Sequence, residues 1–440
     1  MHPRTCGWSI EPRLTTRARR WLPRDGLWRH RDFLLLWSAQ GVSAVGSRIT
    51  RTALPIAAIL MTGAGAYDLG LLTVALTLPG AVLAWLSGGW VDRHRRRPLM
   101  IGADIVRAIA LLTIPAAAYL GTVTLPLLYA VATITGIATV LYHLADHVFV
   151  TDLVGRKRVL DANGKREAAD AVAEISGPAL GGALVAWLTA PVAIAVDAVT
   201  FAASALLLAR IGKRETIAAA TAPPAAASFA NDVRTGVRVV WRDPAIRSLF
   251  LATATLTFCM SFMASLYTLY ALSDLGFGPA QLGVTIGCGG LGALAGAALA
   301  GPAAARWGTR RSLIGALMVG AAAQVLIPLA PPPLWIAMTF LIGAQVVGDG
   351  ALTVYLINET SLRQRLLPPE ALGRAAATWQ VATGLLTPAG ALAGAALAET
   401  IGMRPTLWVL AIGILLAALS LIAARNALPG TGAGRGFAQP

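Results

Sequence analysis

The feature of this sequence that most constrains its fold is a succession of apolar stretches, each about as long as a helix that crosses a lipid bilayer, which takes roughly 20 apolar residues. Because lipid offers backbone groups no hydrogen-bond partners, and the alternating pattern of a barrel strand is absent, each stretch is predicted to be an α-helix. Twelve spans are predicted, at residues 33–61, 67–90, 99–120, 124–147, 168–189, 191–210, 245–272, 280–304, 312–330, 334–357, 371–398 and 405–424. With 56% apolar and only 13% charged residues, the composition argues against a soluble enzyme.

The basic residues are unevenly distributed along the chain. There are 36 Lys and Arg against 21 Asp and Glu, a net charge of +15, which in a soluble protein would suggest a nucleic-acid partner. Here the basic residues fall on alternate connections, as at 93–97 and 156–166, whereas loops 121–123 and 329–333 carry none. The positive-inside rule therefore predicts no nucleic-acid partner and a multi-pass protein of the inner or plasma membrane with both termini cytoplasmic. High Ala, Gly and Arg usage indicates a bacterium.

The chain also repeats itself, and the repeat predicts its organisation. Gly88, in the segment Gly88-Gly89-Trp90, corresponds to Gly301, in the segment Gly301-Pro302-Ala303, at an offset of 213. Gly177-Pro178 corresponds to Thr387-Pro388 at an offset of 210. We predict an all-α integral membrane protein of two pseudo-symmetric six-helix halves, an architecture typical of transporters. The predicted segments are a cytoplasmic tail at 1–32, the halves at 33–210 and 245–424, a cytoplasmic linker with an interfacial helix at 211–244, and a second cytoplasmic tail at 425–440.

The loop after the second span carries the motif Gly88-x-x-x-Asp92-Arg93-x-x-Arg96-Arg97, which resembles the signature of the major facilitator superfamily at this place. Arg95 stands where many members have glycine, and in the weaker second copy Ala305 replaces the aspartate. The resemblance implies a conformational latch that holds the cytoplasmic side closed. A carboxylate can face a helix N-terminus while arginines bridge to the other half. The predicted latch residues are Gly88, Asp92, Arg93, Arg96, Arg97 and Arg107, and the alternative is a charge run that only fixes topology.

Other segments resemble the exporter branch of that family, which includes macrolide efflux and enterobactin export proteins. They are 33–40 (FLLLWSAQ), 53–55 (ALP), 104–108 (DIVRA), 160–163 (LDAN) and 197–201 (DAVTF). Gly177-Pro178-Ala179-Leu180-Gly181-Gly182 is similar to the core of the motif of drug:proton antiporters, although Ala173 replaces an upstream glycine of that motif. Gly177, Pro178, Gly181 and Gly182 are predicted to form a helix bend, with helix packing alone as the alternative.

Ionisable side chains within spans are costly in lipid and are therefore candidates for function. Arg48 and Arg51 are predicted to line a cavity and to contact substrate. Glu174 and Asp349 are the first proton-coupling candidates, because a carboxylate removed from water holds its proton to higher pH. Asp349 is expected to lie within reach of one of the two arginines. The remaining candidates are Asp104 and Asp197 for coupling and Gln40 and Trp379 for the cavity; Asp104 is also expected to pair with Arg107 at i,i+3.

These features predict a secondary active transporter, not an enzyme. The proposed activity is proton-coupled efflux of a drug-like, siderophore or natural-product small molecule by a monomer that alternates between inward-open and outward-open states. Uptake by the same fold and a lipid flippase or scaffold are the alternatives. A membrane enzyme built on the cluster of His143, Asp146 and His147 is a further alternative. The two histidines are spaced i,i+4 and could bind Zn, but the glutamate of a His-Glu-x-x-His motif is missing. We expect no metal, no cofactor and, without a P-loop, no direct ATP drive.

Overall fold

The computed structural model describes residues 26–91, 94–213 and 225–428 of the 440-residue chain. Its regular structure in these residues is almost entirely helical. The α-helices are α1 (Arg31–Thr62), α2 (Ala66–Val91), α3 (Arg96–Tyr119), α4 (Leu125–Val154), α5 (Val159–Trp187), α6 (Ala190–Ala209), α7 (Ala225–Arg242), α8 (Pro244–Leu269), α9 (Pro279–Trp307), α10 (Thr309–Leu329), α11 (Leu334–Leu366), α12 (Pro369–Ile401) and α13 (Met403–Ala423). The predicted all-α membrane fold is thereby confirmed.

Ten of the described helices are long and apolar enough to cross a bilayer: α2, α3, α4, α6 and α8 to α13. Helices α1 and α5 have the length, with 32 and 29 residues, but carry more charged side chains. Twelve spans and the division into two halves remain predictions, with α1 and α5 as the two further spans.

Several helices extend past the predicted spans at one end. Helix α5 begins nine residues before the predicted span at 168, and α11 ends nine residues after the predicted end at 357. Hydropathy detects the part of a helix that lies in lipid, whereas backbone hydrogen bonding continues into charged sequence that water can solvate. The apolar pattern therefore underestimates the length of these helices.

The helices alternate between two ends of the molecule. We name the first end as the one where α1 begins and α13 ends, and the second end as the one where α1 ends and α2 begins. At the first end Asp32 accepts hydrogen bonds from the backbone N–H groups of Gly212 (3.2 Å) and Lys213 (3.1 Å), just past α6. Arg310 donates there to the carbonyl oxygen of Arg425 (3.0 Å), just past α13.

Helix α1 packs on α5 and α6, α3 on α4 and α6, and α2 on α4; in the second part α8 packs on α12 and α13, α9 on α11, and α10 on α11 and α13. Contact between the two parts is made chiefly by α5 with α9 and by α2 with α12. Small residues allow these approaches, as expected in lipid, where close backbone packing replaces the hydrophobic effect between helices. A Cβ atom on Gly283 would lie 2.8 Å from the Cα atom of Gly182.

Candidate functional site

A cavity of about 1390 Å³ lies between the two parts of the bundle. Its walls come from α1 to α6 and from α8, α9, α11 and α12. It runs out to the first end, where Trp37, His147 and Arg166 each lie within about two helical turns of a helix terminus. At the second end the α5–α9 and α2–α12 contacts close over it, and the backbone N–H of Tyr67 donates to Oε1 of Glu399 (3.2 Å).

Arg48, Arg51 and Glu174 form a charged cluster in the cavity wall between α1 and α5. The Nε atom of Arg48 lies 2.7 Å from Oε2 of Glu174, and Nη1 of Arg51 lies 3.4 Å from Oε1 of the same carboxylate. All three side chains line the cavity, and that of Glu174 is 37% exposed. A single carboxylate therefore neutralises part of the charge of both arginines.

The predicted helix-bend residues form a contact surface on α5. A Cβ atom on Gly177 would clash with the side chain of Arg48, and one on Gly181 would lie 3.1 Å from the Cα atom of Ile49. Gly182 instead faces α9, and Pro178 lies within α5 and lines the cavity. The glycines thus let α5 approach α1 on one side and α9 on the other.

Asp146, which the sequence places beside His143 and His147, is the centre of a second polar cluster. Its buried carboxylate accepts hydrogen bonds from Nε2 of Gln40 and from Nη2 of Arg166, so it joins α1, α4 and α5. His143 and His147, one turn apart on α4, line the cavity beside it. Within the described residues there is no group of three or more His, Cys, Asp or Glu side chains placed to hold a metal ion.

Asp104 and Arg107 pair with each other at i,i+3 on α3, as the spacing predicts. Asp104 is fully buried and lies behind the cavity wall, whereas Arg107 lines the cavity. The guanidinium carbon of Arg107 lies 4.7 Å from the ring centre of Tyr142 and 4.0 Å from that of Phe201. These cation–π contacts and the ion pair fix Arg107 in place.

Asp197 also lines the cavity but is almost fully buried, with 1% of its surface exposed. Its carboxylate accepts a hydrogen bond from Oγ1 of Thr200, one turn later on α6 (3.0 Å). The same carboxylate lies against Gly46 of α1, where a Cβ atom would occupy its space, so Asp197 sits in the contact between α1 and α6.

Asp349 lies in the cavity wall on α11, opposite the charged residues of α1 to α6. The expectation that Arg48 or Arg51 compensates its charge is wrong, because both arginines pair with Glu174. No arginine, lysine or histidine among the described residues lies within ion-pair distance of Asp349. Its carboxylate sits against Gly289, where a side chain would occupy the same space.

Trp379 does not lie among the residues that line the cavity. It is buried near the first end, with its ring centre 4.9 Å from that of Phe250 and 4.5 Å from the guanidinium carbon of Arg363. Its neighbour Gln380 faces the cavity instead. The tryptophan is on the wrong face of α12 to contact a ligand in the cavity.

The predicted latch is described only in part. Asp92 and Arg93 lie outside the described residues, and the surroundings of Gly88 are not described either. Arg96 lies 3.4 Å from the carboxylate of Asp152 on α4, and Arg97 donates to the carbonyl oxygen of Leu208 on α6 (2.8 Å). These contacts join α3 to its neighbours at the first end.

The sequence profile of the Major Facilitator Superfamily matches residues 36–358 and 249–437. Curated relatives include the uncharacterized MFS-type transporter YfiS of Bacillus subtilis, 26% identical over 89% of this chain and 92% of that protein. Macrolide efflux protein A of Streptococcus pyogenes is 25% identical over 89% of this chain and 94% of its own length. Multidrug efflux pump Tap of Mycolicibacterium fortuitum is 26% identical over 87% and 93%, respectively.

Solved structures share the fold. A bacterial homologue of the iron transporter ferroportin, in its inward-facing state, superposes with a TM-score of 0.73 over 91% of this chain and 99% of that one, at 19% identity. A second example is a bacterial homologue of the human lysosomal transporter Spinster, inward-facing and unoccupied, with a TM-score of 0.67 over 91% and 98%, at 16% identity.

Proposed function

Because the chain belongs to the Major Facilitator Superfamily, and is therefore a membrane transporter, we propose that it exports amphipathic organic cations in exchange for protons. Export is supported by the relatives named macrolide efflux protein A and multidrug efflux pump Tap. The substrate class and the coupling ion are inferred from the charges of the cavity.

Alternating access requires that one end of the cavity is closed while the other is open. The cavity reaches the first end through walls formed by α1, α4 and α5, and it is closed at the second end by small residues of α5 and α9. If the first end is cytoplasmic, as the basic loops predict, this conformation is the one that loads cargo from the cell. Parting α5 from α9 and α2 from α12 would then release cargo on the other side.

We infer the substrate class from the carboxylate of Asp349, which has no ion-pair partner within the described part of the chain. Four arginines line the cavity, and each has a carboxylate partner: Arg48 and Arg51 pair with Glu174, Arg107 with Asp104, and Arg166 with Asp146. Three carboxylates in the cavity wall have no ion-pair partner among the described residues: Asp170 on α5, Asp197 on α6 and Asp349 on α11. Of these, Asp349 lies on the side of the cavity whose other lining residues are uncharged, among them Met260, Met263, Ile286, Gln345, Gln380 and Thr387.

An uncharged wall of mixed apolar and polar side chains with one carboxylate suits a ligand that combines a positive charge with a large apolar body. The apolar side chains cover the body, and the carboxylate offsets the cost of taking the charge out of water. An anionic siderophore, by contrast, would enter a cavity lined by more carboxylates than arginines, five against four. We therefore place amine-bearing drugs and natural products ahead of siderophores as cargo.

Glu174 is the residue we propose for proton coupling. A proton on its carboxylate would compete with both arginines of α1, so protonation would loosen the contact between α1 and α5. The same stretch of α5 carries Gly177 against α1 and Gly182 against α9. A change in the charge of Glu174 can thus be transmitted to the helix pair that closes the second end.

The test of the substrate class uses two ions of equal shape and opposite charge, tetraphenylphosphonium and tetraphenylborate, with purified protein in detergent. We expect the cation to bind at least tenfold more tightly than the anion. Asp349→Asn should weaken cation binding by about tenfold to 100-fold, the range for a lost charge-assisted contact. The control Asp161→Asn removes an exposed carboxylate that pairs with Lys165 and should change nothing. Equal binding of the two ions, or an unchanged affinity in Asp349→Asn, would rule out this substrate class.

A further inference from the structure

Helix α7, between the two parts of the bundle, has two faces of different chemistry. Gly236 and Val240 are buried, and a Cβ atom on Gly236 would clash with α12 at Thr378. The hydroxyl of Thr378 is shared between the carbonyl oxygen of Arg374 in its own helix (3.1 Å) and that of Val233 in α7 (3.4 Å). Helix α7 also packs on α2. One face of α7 is therefore fixed to a helix of each part of the bundle.

The opposite face of α7 is basic and apolar. Arg234, Arg238 and Arg242 are exposed at i, i+4 and i+8, which places them in one row along the helix. Beside this row Val237 is 43% exposed and Trp241 is 49% exposed. A helix with a row of arginines next to exposed valine and tryptophan is typical of helices that lie in the headgroup region of a membrane.

The three arginines are available to an external partner. No carboxylate among the described side chains pairs with any of them. The acidic residue that follows the row, Asp243, accepts hydrogen bonds from the backbone N–H groups of Ala245 (2.7 Å) and Ile246 (3.2 Å) and so caps α8. Arginines that lack an internal partner at a bilayer surface are matched by the phosphates of anionic lipids.

We infer that α7 is a binding site for anionic phospholipids of the leaflet at the first end, held by Arg234, Arg238 and Arg242 with Trp241 inserted beside them. Bound lipid fixes α7 in the interface. Because α7 contacts both α2 and α12, whose pairing also helps to close the second end, lipid binding stabilises the conformation that the structure shows. Helix α12 carries this effect to the cavity through Gln380 and Thr383.

The test measures lipid binding to the full-length protein by native mass spectrometry, with phosphatidylglycerol and phosphatidylcholine of the same acyl chains as probes. Each arginine at an anionic surface contributes about a fivefold change in affinity. We expect wild-type protein to prefer phosphatidylglycerol, and Arg234→Gln/Arg238→Gln/Arg242→Gln to lower that preference by about tenfold to 100-fold. The lysine triple variant, which keeps the charges, should retain it.

The matched control is Arg306→Gln/Arg311→Gln/Arg365→Gln, which removes three exposed arginines from other segments at the same end. It should leave the preference within twofold of wild type. The inference is overturned if the α7 glutamine variant keeps the wild-type preference, as it would if an acidic protein segment were the partner. It is also overturned if the control loses as much, because the effect would then belong to surface charge in general.

Discussion

Replacement of Gly283 by alanine should shift the protein away from the conformation that is closed at the second end. The added Cβ atom would clash with the carbonyl oxygen of Pro178, and it would lie 2.8 Å from the Cα atom and 3.0 Å from the backbone nitrogen of Gly182. Ordinary carbon–carbon contacts are about 3.5–4.0 Å, so α5 and α9 would have to separate by roughly 1 Å. All three close neighbours are backbone atoms, which cannot rotate away as a flexible side chain could.

The size of the shift follows from the cost of overpacking, about 1–3 kcal/mol. This cost raises the free energy of the conformation that is closed at the second end. The conformation that is open at that end is unaffected, because α5 and α9 are apart there. The cost corresponds to an approximately 5- to 150-fold change in the ratio of the two conformations. A protein that rests mainly in the described conformation would thus populate the opposite one measurably.

The assay is the distance between spin labels on Leu188→Cys, just past α5, and Ser273→Cys, in the π-helical turn after α8, in protein lacking Cys6, Cys259 and Cys288. Gly283→Ala should increase the long-distance fraction. The control Gly301→Ala lies on the same helix, where an added Cβ atom would meet no atom within 4 Å, and should match the parent protein. A distance distribution in Gly283→Ala identical to that of Gly301→Ala would refute the reasoning.

Three further predictions concern the buried cluster, the latch and the topology. Asp146→Asn leaves Arg166 without its buried counter-charge and should lower the thermal unfolding midpoint more than Asp161→Asn, whose carboxylate is 51% exposed; equal midpoints would contradict a structural role for the cluster. Asp92→Asn should reduce transport far more than expression, while Ala305→Asp should have little effect, and normal transport in Asp92→Asn would leave only a topogenic role for this loop. Single cysteines at Val123 and Pro332 should react with an impermeant thiol reagent from outside the cell and one at Ala222 should not, and the reverse pattern would invert the topology.

The sequence alone is sufficient to predict the helices that lie within the lipid bilayer. Apolar stretches of fixed length predict such helices directly, because an unpaired backbone group in lipid is so costly. Local pairs were also predictable: Asp104 and Arg107 are one turn apart, so helix geometry alone brings them together. Where a helix continues beyond the lipid, as α5 does at its N-terminus, hydropathy does not mark the residue at which the helix begins or ends.

The arrangement of the site was harder to predict, because it depends on contacts between distant segments. Gln40 and Asp146 are separated by 106 positions, and no local pattern indicates that they meet. The face of a helix is also poorly marked in a membrane protein, since residues facing lipid and residues facing other helices are both apolar. For this reason the sequence predicts Trp379 in the cavity wall, whereas its neighbour Gln380 is the residue that lines it. The pairing of Glu174, rather than Asp349, with the arginines likewise required the tertiary structure.

Proton-coupled cation export is tested most directly by the accumulation of tetraphenylphosphonium in proteoliposomes under an imposed pH gradient, compared with its exchange in the absence of a gradient. Wild-type protein should do both. Glu174→Gln should keep exchange within a fewfold of wild type and lose accumulation driven by the gradient, while Glu167→Gln, an exposed glutamate two turns earlier on α5, should behave as wild type. Wild-type rates of gradient-driven accumulation in Glu174→Gln would contradict the assignment of the coupling proton to this carboxylate.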